Sequence, residues 1–318
     1  MTGLTWVIAA LCAAAVGARL GRLTIRPPSL ARSSVAVAAI AMTAAAAVRT
    51  PTVAVVISPN DGSLATRVFI GCWVVVSAAT ALIAAAAWPR VSRRTLTIAT
   101  VLIPLAAIAD LIAITVTDNI AVGSWFIVAV GVFALVVGLR YIAWNPLGRA
   151  IAGYLAGLLV VVAILLANPS STDPTNPWWA IAIIILSLAC CSVMIESWFS
   201  ASAVLRQTSA LWNTLLASHP ELVEADYQST VTVLKADDRV SQILDGLYLH
   251  AGAGLVPMGN IDTELSPQAR AQTIAGWLRG PEGTPVESDL LTTPPGLSDR
   301  RWVRMIASEY DRAASTTT

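Results

Sequence analysis

Charge is what this sequence has least of: only 12% of its 318 residues carry one, about half the share in an ordinary soluble domain. Lysine is almost missing, since Lys235 stands alone beside nineteen arginines. That skew reads as the coding bias of a GC-rich genome. There are two histidines, His219 and His250, and four cysteines, Cys12, Cys72, Cys190 and Cys191. Every cysteine lies in an apolar run and none forms a CxxC pair, which excludes a disulfide framework. They read as small residues packed between helices. With two distant histidines and no cysteine after residue 191, no metal-ligand spacing arises. A GxSxG nucleophile turn and a GxGxxG phosphate loop are also missing. Gly252-Ala-Gly254 with Gly259 has the wrong spacing and follows a helical pattern. The expectation is a protein that is not an enzyme, with no catalytic, cofactor-binding or metal-binding residue and no cofactor.

What the chain has in place of charge is long apolar runs. Hydrophobic residues make up 56% and the mean hydropathy is +0.70. A helix rises about 1.5 Å per residue, so roughly 20 apolar residues cross a bilayer. Seven runs meet or approach that length, at 4–18, 33–48, 68–88, 96–116, 120–139, 151–167 and 178–199. The arginines of the first run follow it (Arg19, Arg22, Arg26, Arg32), whereas a cleaved signal peptide carries its charge in front. The first run is therefore read as a span.

Arginine sets the orientation. Loops one, three and five carry Arg19, Arg22, Arg26 and Arg32, then Arg90, Arg93 and Arg94, then Arg140 and Arg149. Loops two, four and six carry only Arg49 and Arg67, with Asp61, Asp118 and Asp173. The positive-inside rule places the odd loops in the cytoplasm. The N-terminus is then outside and the C-terminus inside, which an odd number of spans requires. Trp6, Trp88, Trp125, Trp178, Trp179 and Trp198 lie near span ends, as interfacial anchors do.

After residue 200 the composition changes. Eleven arginines and five acids precede Ser200; nine basic residues and fourteen acids follow it. A mildly acidic tail of this kind argues against nucleic-acid binding, which needs a basic patch. The fold class expected is all-α: a seven-helix transmembrane bundle over 1–200, then a small helical cytoplasmic domain over 201–318. In the tail, Ser202–Ser218 continues span seven without Gly or Pro and stops before Pro220. Residues 238–251 carry Val240, Ile243, Leu244 and Leu247 at helical period. Ser266-Pro267 opens a third helix, which stops at Gly280-Pro281. Ser298-Asp299 opens a fourth, with Trp302, Val303, Ile306 and Tyr310. Residues 281–296 read as a Pro-rich loop, and the Val-Thr alternation of 227–234 as a short strand. The core expected is Trp212, Leu215, Ile243, Leu247, Trp277, Leu278, Trp302 and Ile306.

Three residues stand out as candidate functional positions. Asp110 is the one carboxylate well inside a span, and a charge there costs at least ~2.5 kcal/mol. Such a group faces the bundle, is paired, or is protonated. It follows Pro104 by six residues, and Pro104 removes a backbone donor from the same helix. The functional reading is an ion- or proton-coupling site; the structural one is an interhelical or interfacial polar contact. Glu196 sits near the inner interface, at a depth where an ion pair with Arg140 or Arg149 is expected.

Seven N-out spans are followed by Leu211-Trp-Asn-Thr-Leu-Leu-Ala-Ser-His-Pro-Glu221, then Val240-Ser-Gln-Ile-Leu-Asp-Gly-Leu247, then a final Trp302-Val-Arg helix. This pattern resembles an actinobacterial family of seven-helix membrane proteins, labelled provisionally as transporters, whose tail is a domain of unknown function. The chain departs from that family at Ser241–Leu244, where charged residues are usual. The resemblance implies a bacterial plasma membrane and transfers no catalytic residue. Two functions are expected from the sequence. The first is a sensory or regulatory membrane protein that relays to a cytoplasmic protein partner through the tail. The second is a small-molecule or ion transporter with Asp110 as its coupling site. The bilayer is the one partner that composition itself demands; the oligomeric state is open.

Overall fold

The computed structural model describes residues 29–59, 63–88, 92–170, 172–222, 231–252, 265–280, 286 and 288–315, with scattered positions from 3 to 17. The elements among them are all helical. The chain forms two compact units, Met1–Val193 and Met194–Thr318.

In the first unit α1 (Leu30–Val48) leads through the short α2 (Pro51–Ile57) to α3 (Ser63–Ala87). Then follow α4 (Arg93–Thr117), α5 (Ile120–Gly138), a 3-10 turn (Leu139–Tyr141), α6 (Pro146–Ala167) and α7 (Pro177–Gln207). Six of these helices, all but α2, are long and apolar enough to cross a membrane once the 3-10 turn is counted with α5. The expected first span corresponds to a short apolar helix, Thr5–Ala14, part of which lies outside the described residues. Several helices begin earlier than hydropathy indicates. The Ser92 side chain accepts from the Thr95 backbone N–H at 3.1 Å, so α4 starts at Arg93. Asn145 caps α6 and Pro146 takes its first position, where a missing N–H costs nothing. Hydropathy reports the lipid-crossing part; caps and arginine stems carry the helix further.

Burial ranks the helices. In α3, 72% of the most apolar window is buried; in α4 the share is 17%. The central α3 packs against α1, α4 and α5. On α3, Phe69 and Trp73 meet Trp179 of α7, with ring centroids 4.9 and 5.2 Å apart. Alanine fills much of the remaining contact, including Ala41, Ala45 and Ala46 of α1. Small residues let backbones approach where lipid removes the hydrophobic drive. On α4 only Ala107, Asp110 and Ile114 are buried, one narrow stripe at i, i+3 and i+7. Ile98, Val101, Leu102, Leu105, Ile108 and Ile112 are exposed, as a lipid-facing surface requires.

The start of α6 is tightly closed. The Gly148 N–H donates to Asn145 Oδ1 at 2.6 Å, and a β-carbon on Gly148 would stand 2.4 Å from both the N and the O of Ala143. Those are backbone atoms that cannot swing away. Gly148→Ala is expected to lose ~1–3 kcal/mol to overpacking. Gly153→Ala, whose β-carbon would meet Ala189 Cβ at 3.2 Å, serves as the milder control. Thermal melts of both variants in detergent check the order.

The second unit is built from the end of α7, α8 (Ser209–Ser218), a 3-10 turn (Pro220–Leu222), α9 (Thr232–His250), α10 (Pro267–Arg279), α11 (Ser288–Leu291) and α12 (Asp299–Ser315). Its core joins Ala201 and Val204 of α7 with Leu211 and Leu215 of α8, Ile243 and Leu247 of α9, Ile274 of α10, and Trp302 and Ile306 of α12. Seven of the eight expected core residues are buried; Trp277 is half-buried against that core. Arg270 supports the short α11 from outside. Its guanidinium donates to the carbonyls of Asp289, Leu290 and Thr292, the C-terminal groups that a helix leaves unpaired.

Three expectations for the tail are corrected. The unbroken helix expected to run to Ser218 stops at Gln207. Thr208 is wholly buried and its hydroxyl donates to the Val204 carbonyl at 2.8 Å. The backbone there has φ −95° and ψ 4°, the bend that such back-bonding favours. Of the expected strand, residues 227–230 lie outside the described residues; 232–234 are the first turn of α9. Burial of Ala236, Val240, Ile243 and Leu247 on one face outweighs the local preference of Val and Thr. The Pro-rich segment also contains a helix, α11, which buries Leu290 and Leu291.

Candidate functional site

Asp110 is buried, with 8% of its surface exposed. Its helix is capped by Ser92 and interrupted by the internal Pro104, six residues before the carboxylate. A β-carbon on Gly123 of α5 would come 2.9 Å from Ile70 of α3, 2.6 Å from Ile114 and 3.4 Å from Asp110 Oδ2. Glycine at 123 is thus what lets α5 close over the carboxylate. Oδ2 has no hydrogen-bond partner among the described residues. Arg67 of α3 pairs with Asp118, two turns further along α4, at 2.9 Å and donates to Ser63. Of the arrangements the sequence allows for Asp110, the structure shows the bundle-facing one. Pro104 is half-buried on the same helix, and Glu196 is half-buried on α7 within the second unit.

Both arginines of the even-numbered loops are engaged within the first unit. Beside the Arg67–Asp118 pair, Arg49 Nε donates to the Pro174 carbonyl at 2.9 Å, and its Nη2 reaches those of Thr175 and Asn176. Burial pushes its pKa down, partly offset by Asp173. In the odd loops Arg140 lies over the Trp88 ring at 5.0 Å and Arg149 donates to the Trp144 carbonyl.

Two of the cavities among the described residues lie in the first unit. One, of about 450 Å³, is lined by Asn168, Thr172, Asp173, Asn176, Trp178 and Trp179 at the loop between α6 and α7. Thr172 Oγ1 and Trp179 Nε1 are buried there without partners among the described residues. The other, of about 400 Å³, lies among α1, α3, α5, α6 and α7 and is walled by Ala, Val, Ile and Leu. Both volumes fall within the ~300–1,000 Å³ of small-molecule sites. In the second cavity the polar side chains are Thr80, Tyr141, Tyr154 and Cys190. Thr80 Oγ1 stands 2.8 Å from the Val76 carbonyl and 2.6 Å from Tyr154 Oη.

In the second unit the structure joins groups that sequence spacing separates. His219, which caps α8, and His250, which ends α9, have ring centroids 5.6 Å apart, and Trp277 lies 5.0 Å from His250. His219 Nδ1 is 3.3 Å from Glu221. No group of three or more His, Cys, Asp or Glu that could hold a metal occurs among the described residues. Neither this pair nor the two cavities had a signal in the sequence, because each depends on which helix ends and small residues meet.

No known protein family, curated protein or solved structure matches the chain. What fold and composition define is a helical chain with six membrane-length apolar helices among the described residues and a second, helical unit.

Proposed function

We propose that the chain is a seven-span regulatory protein of a bacterial plasma membrane, with its N-terminus outside, relaying to a cytoplasmic protein partner through its C-terminal unit. The observation that carries this reading is the double use of α7. Trp179, Ile183 and Leu186 belong to the core of the first unit, while Ala201 and Val204 of the same helix belong to the core of the second. A change in how α7 packs among the spans therefore acts on residues of the tail core without an intervening loop. Ala189, Cys190 and Val193 of α7 also line the apolar cavity, so a ligand there touches the shared helix. The proposed orientation draws support from Arg49 and Arg67, whose contacts account for the two cations in loops otherwise free of them.

Topology is tested by fusion. Alkaline phosphatase joined after Asp173 is expected to be active in the periplasm, and joined after Thr318 inactive. An active C-terminal fusion overturns the orientation and the cytoplasmic tail together.

The buried, unpartnered Oδ2 of Asp110 favours a second reading, a transporter in which that carboxylate carries a coupling ion or proton. The two are separated by complementing a deletion strain at matched membrane levels. A Gly-Gly insertion after Phe199 breaks the shared helix, and Asp110→Asn removes the titratable group while keeping size and hydrogen bonding. Loss of function from the insertion with a silent Asp110→Asn supports regulation. The reverse pattern sinks it in favour of coupled transport.

A further inference from the structure

The apolar cavity among α1, α3, α5, α6 and α7 carries hydrogen-bonding polarity as well as volume. Thr80 has one hydroxyl proton and two close oxygens, the Val76 carbonyl at 2.8 Å and Tyr154 Oη at 2.6 Å. A carbonyl only accepts. One assignment satisfies both contacts: Thr80 donates to Val76, and Tyr154 donates to Thr80. Tyr154 is left with an oxygen that can accept and no proton to give. At the loop end of the same cavity the Tyr141 hydroxyl donates to the Ala87 carbonyl, which leaves it in the same condition. Cys190 adds only a thiol, a weak hydrogen-bonding group. The wall is otherwise aliphatic. An occupant that matches it is apolar over most of its surface and brings a donor.

Depth narrows the class further. Thr80 lies seven residues before Ala87, the last residue of α3, so the hydroxyl pair sits about 10 Å along the helix from that end at ~1.5 Å per residue. A charged or zwitterionic headgroup there would be stripped of water with no ion to meet it. A neutral hydroxyl needs one acceptor, and Tyr154 provides it. We infer that this cavity is a binding site for a lipid-derived alcohol without a charged headgroup, a long-chain or isoprenoid alcohol whose hydroxyl donates to Tyr154 Oη. The inference gives the regulatory reading its ligand class and rests on that reading only for its biological consequence.

The test uses full-length protein in phosphatidylcholine nanodiscs and three diazirine photoprobes of equal chain length: a primary alcohol, an alkane and a methyl ketone. Labelled peptides are mapped by mass spectrometry. The alcohol is expected to label the cavity walls on α3, α6 and α7 about fivefold more than the alkane, the value of one net hydrogen bond. Tyr154→Phe in a Thr80→Val background, which removes both acceptor oxygens, is expected to erase that preference while alkane labelling stays. Thr80→Val frees the Tyr154 proton, so the ketone, a poor label in the natural protein, is expected to gain severalfold. The Thr80 variant alone keeps the test open should the double variant fail to accumulate. Equal labelling by alcohol and alkane overturns the inference. So does alcohol labelling concentrated outside these walls, or phosphatidylcholine retained in the cavity by native mass spectrometry. These readouts need only purified protein, so their failure leaves the relay through α7 to the complementation experiment.

Discussion

Trp302→Ala is expected to unfold the C-terminal unit or leave it barely folded. The indole is fully buried, its Nε1 donates to the Leu291 carbonyl at 3.3 Å, and Arg270 stands 5.5 Å over the ring. Truncating a core tryptophan costs ~3–5 kcal/mol, and the orphaned Leu291 carbonyl adds to that. A domain of this size holds ~5–15 kcal/mol in all. Trp302 also ties α12 to the short α11, whose Leu291 belongs to the same core. Hydrogen exchange on the full chain in detergent reads the result directly. Amides of α9 and α10 should lose their protection together, since their core residues share one cluster with Trp302. Trp277→Ala is the comparison. That ring is half-buried and meets His250 at the end of α9, so its loss should loosen the helix ends and leave the core amides protected. Equal loss from the two variants would show that the core is not centred on α12.

Asp110→Leu is expected to raise stability in the membrane by about 3 kcal/mol. On insertion scales aspartate at a helix centre costs ~2.5–3.5 kcal/mol and leucine gains ~0.3–0.6. The two side chains have nearly the same branched shape, so the space beneath Gly123 is kept. The carboxylate has no partner at Oδ2 whose loss would offset the gain. Removing an unpaired polar group differs from breaking a pair, where a stranded charge makes the change costly. Unfolding of α4–α5 under steric trapping or in a denaturing-detergent series measures it. A destabilised Asp110→Leu means that the carboxylate holds a bound cation or water in the folded bundle. Asp110→Asn, which keeps the polarity, is expected to fall between the two.

The six membrane-length helices were legible because lipid leaves few alternatives: a run of apolar residues must close its own backbone hydrogen bonds. Their ends were not, because Ser92 and Asn145 extend α4 and α6 by capping, which hydropathy does not register. In the tail, α9, α10 and α12 announced themselves by apolar period. The α11 turn did not, since four residues give no period and Arg270, which holds its carbonyls, lies about twenty positions earlier. The interruption at Thr208 lacks Gly or Pro and arises from one buried hydroxyl. The candidate carboxylate could be chosen from sequence because it is the lone acid in mid-span. Its surroundings could not, since they depend on Gly123 and Ile70 from two other helices. The cavity is still less readable: alanines that pack tightly and alanines that leave a void are the same letters.

Only Asp118 and Asn119 separate α4 from α5, and Asp118 turns the chain with φ 58°. A connection that short has a consequence during synthesis. The two helices cannot leave the translocation channel one at a time in independent orientations; they enter the bilayer as a hairpin. Of the pair α5 is the more apolar, while α4 carries Asp110 and Pro104 and four polar residues in its first turns, Arg93, Arg94, Thr95 and Thr97. A ribosome that has just finished α4 thus holds the less apolar half of the hairpin. The next nineteen residues, those of α5, complete the pair and carry Gly123, which packs over the carboxylate. The acid and the helix that covers it therefore enter the bilayer together.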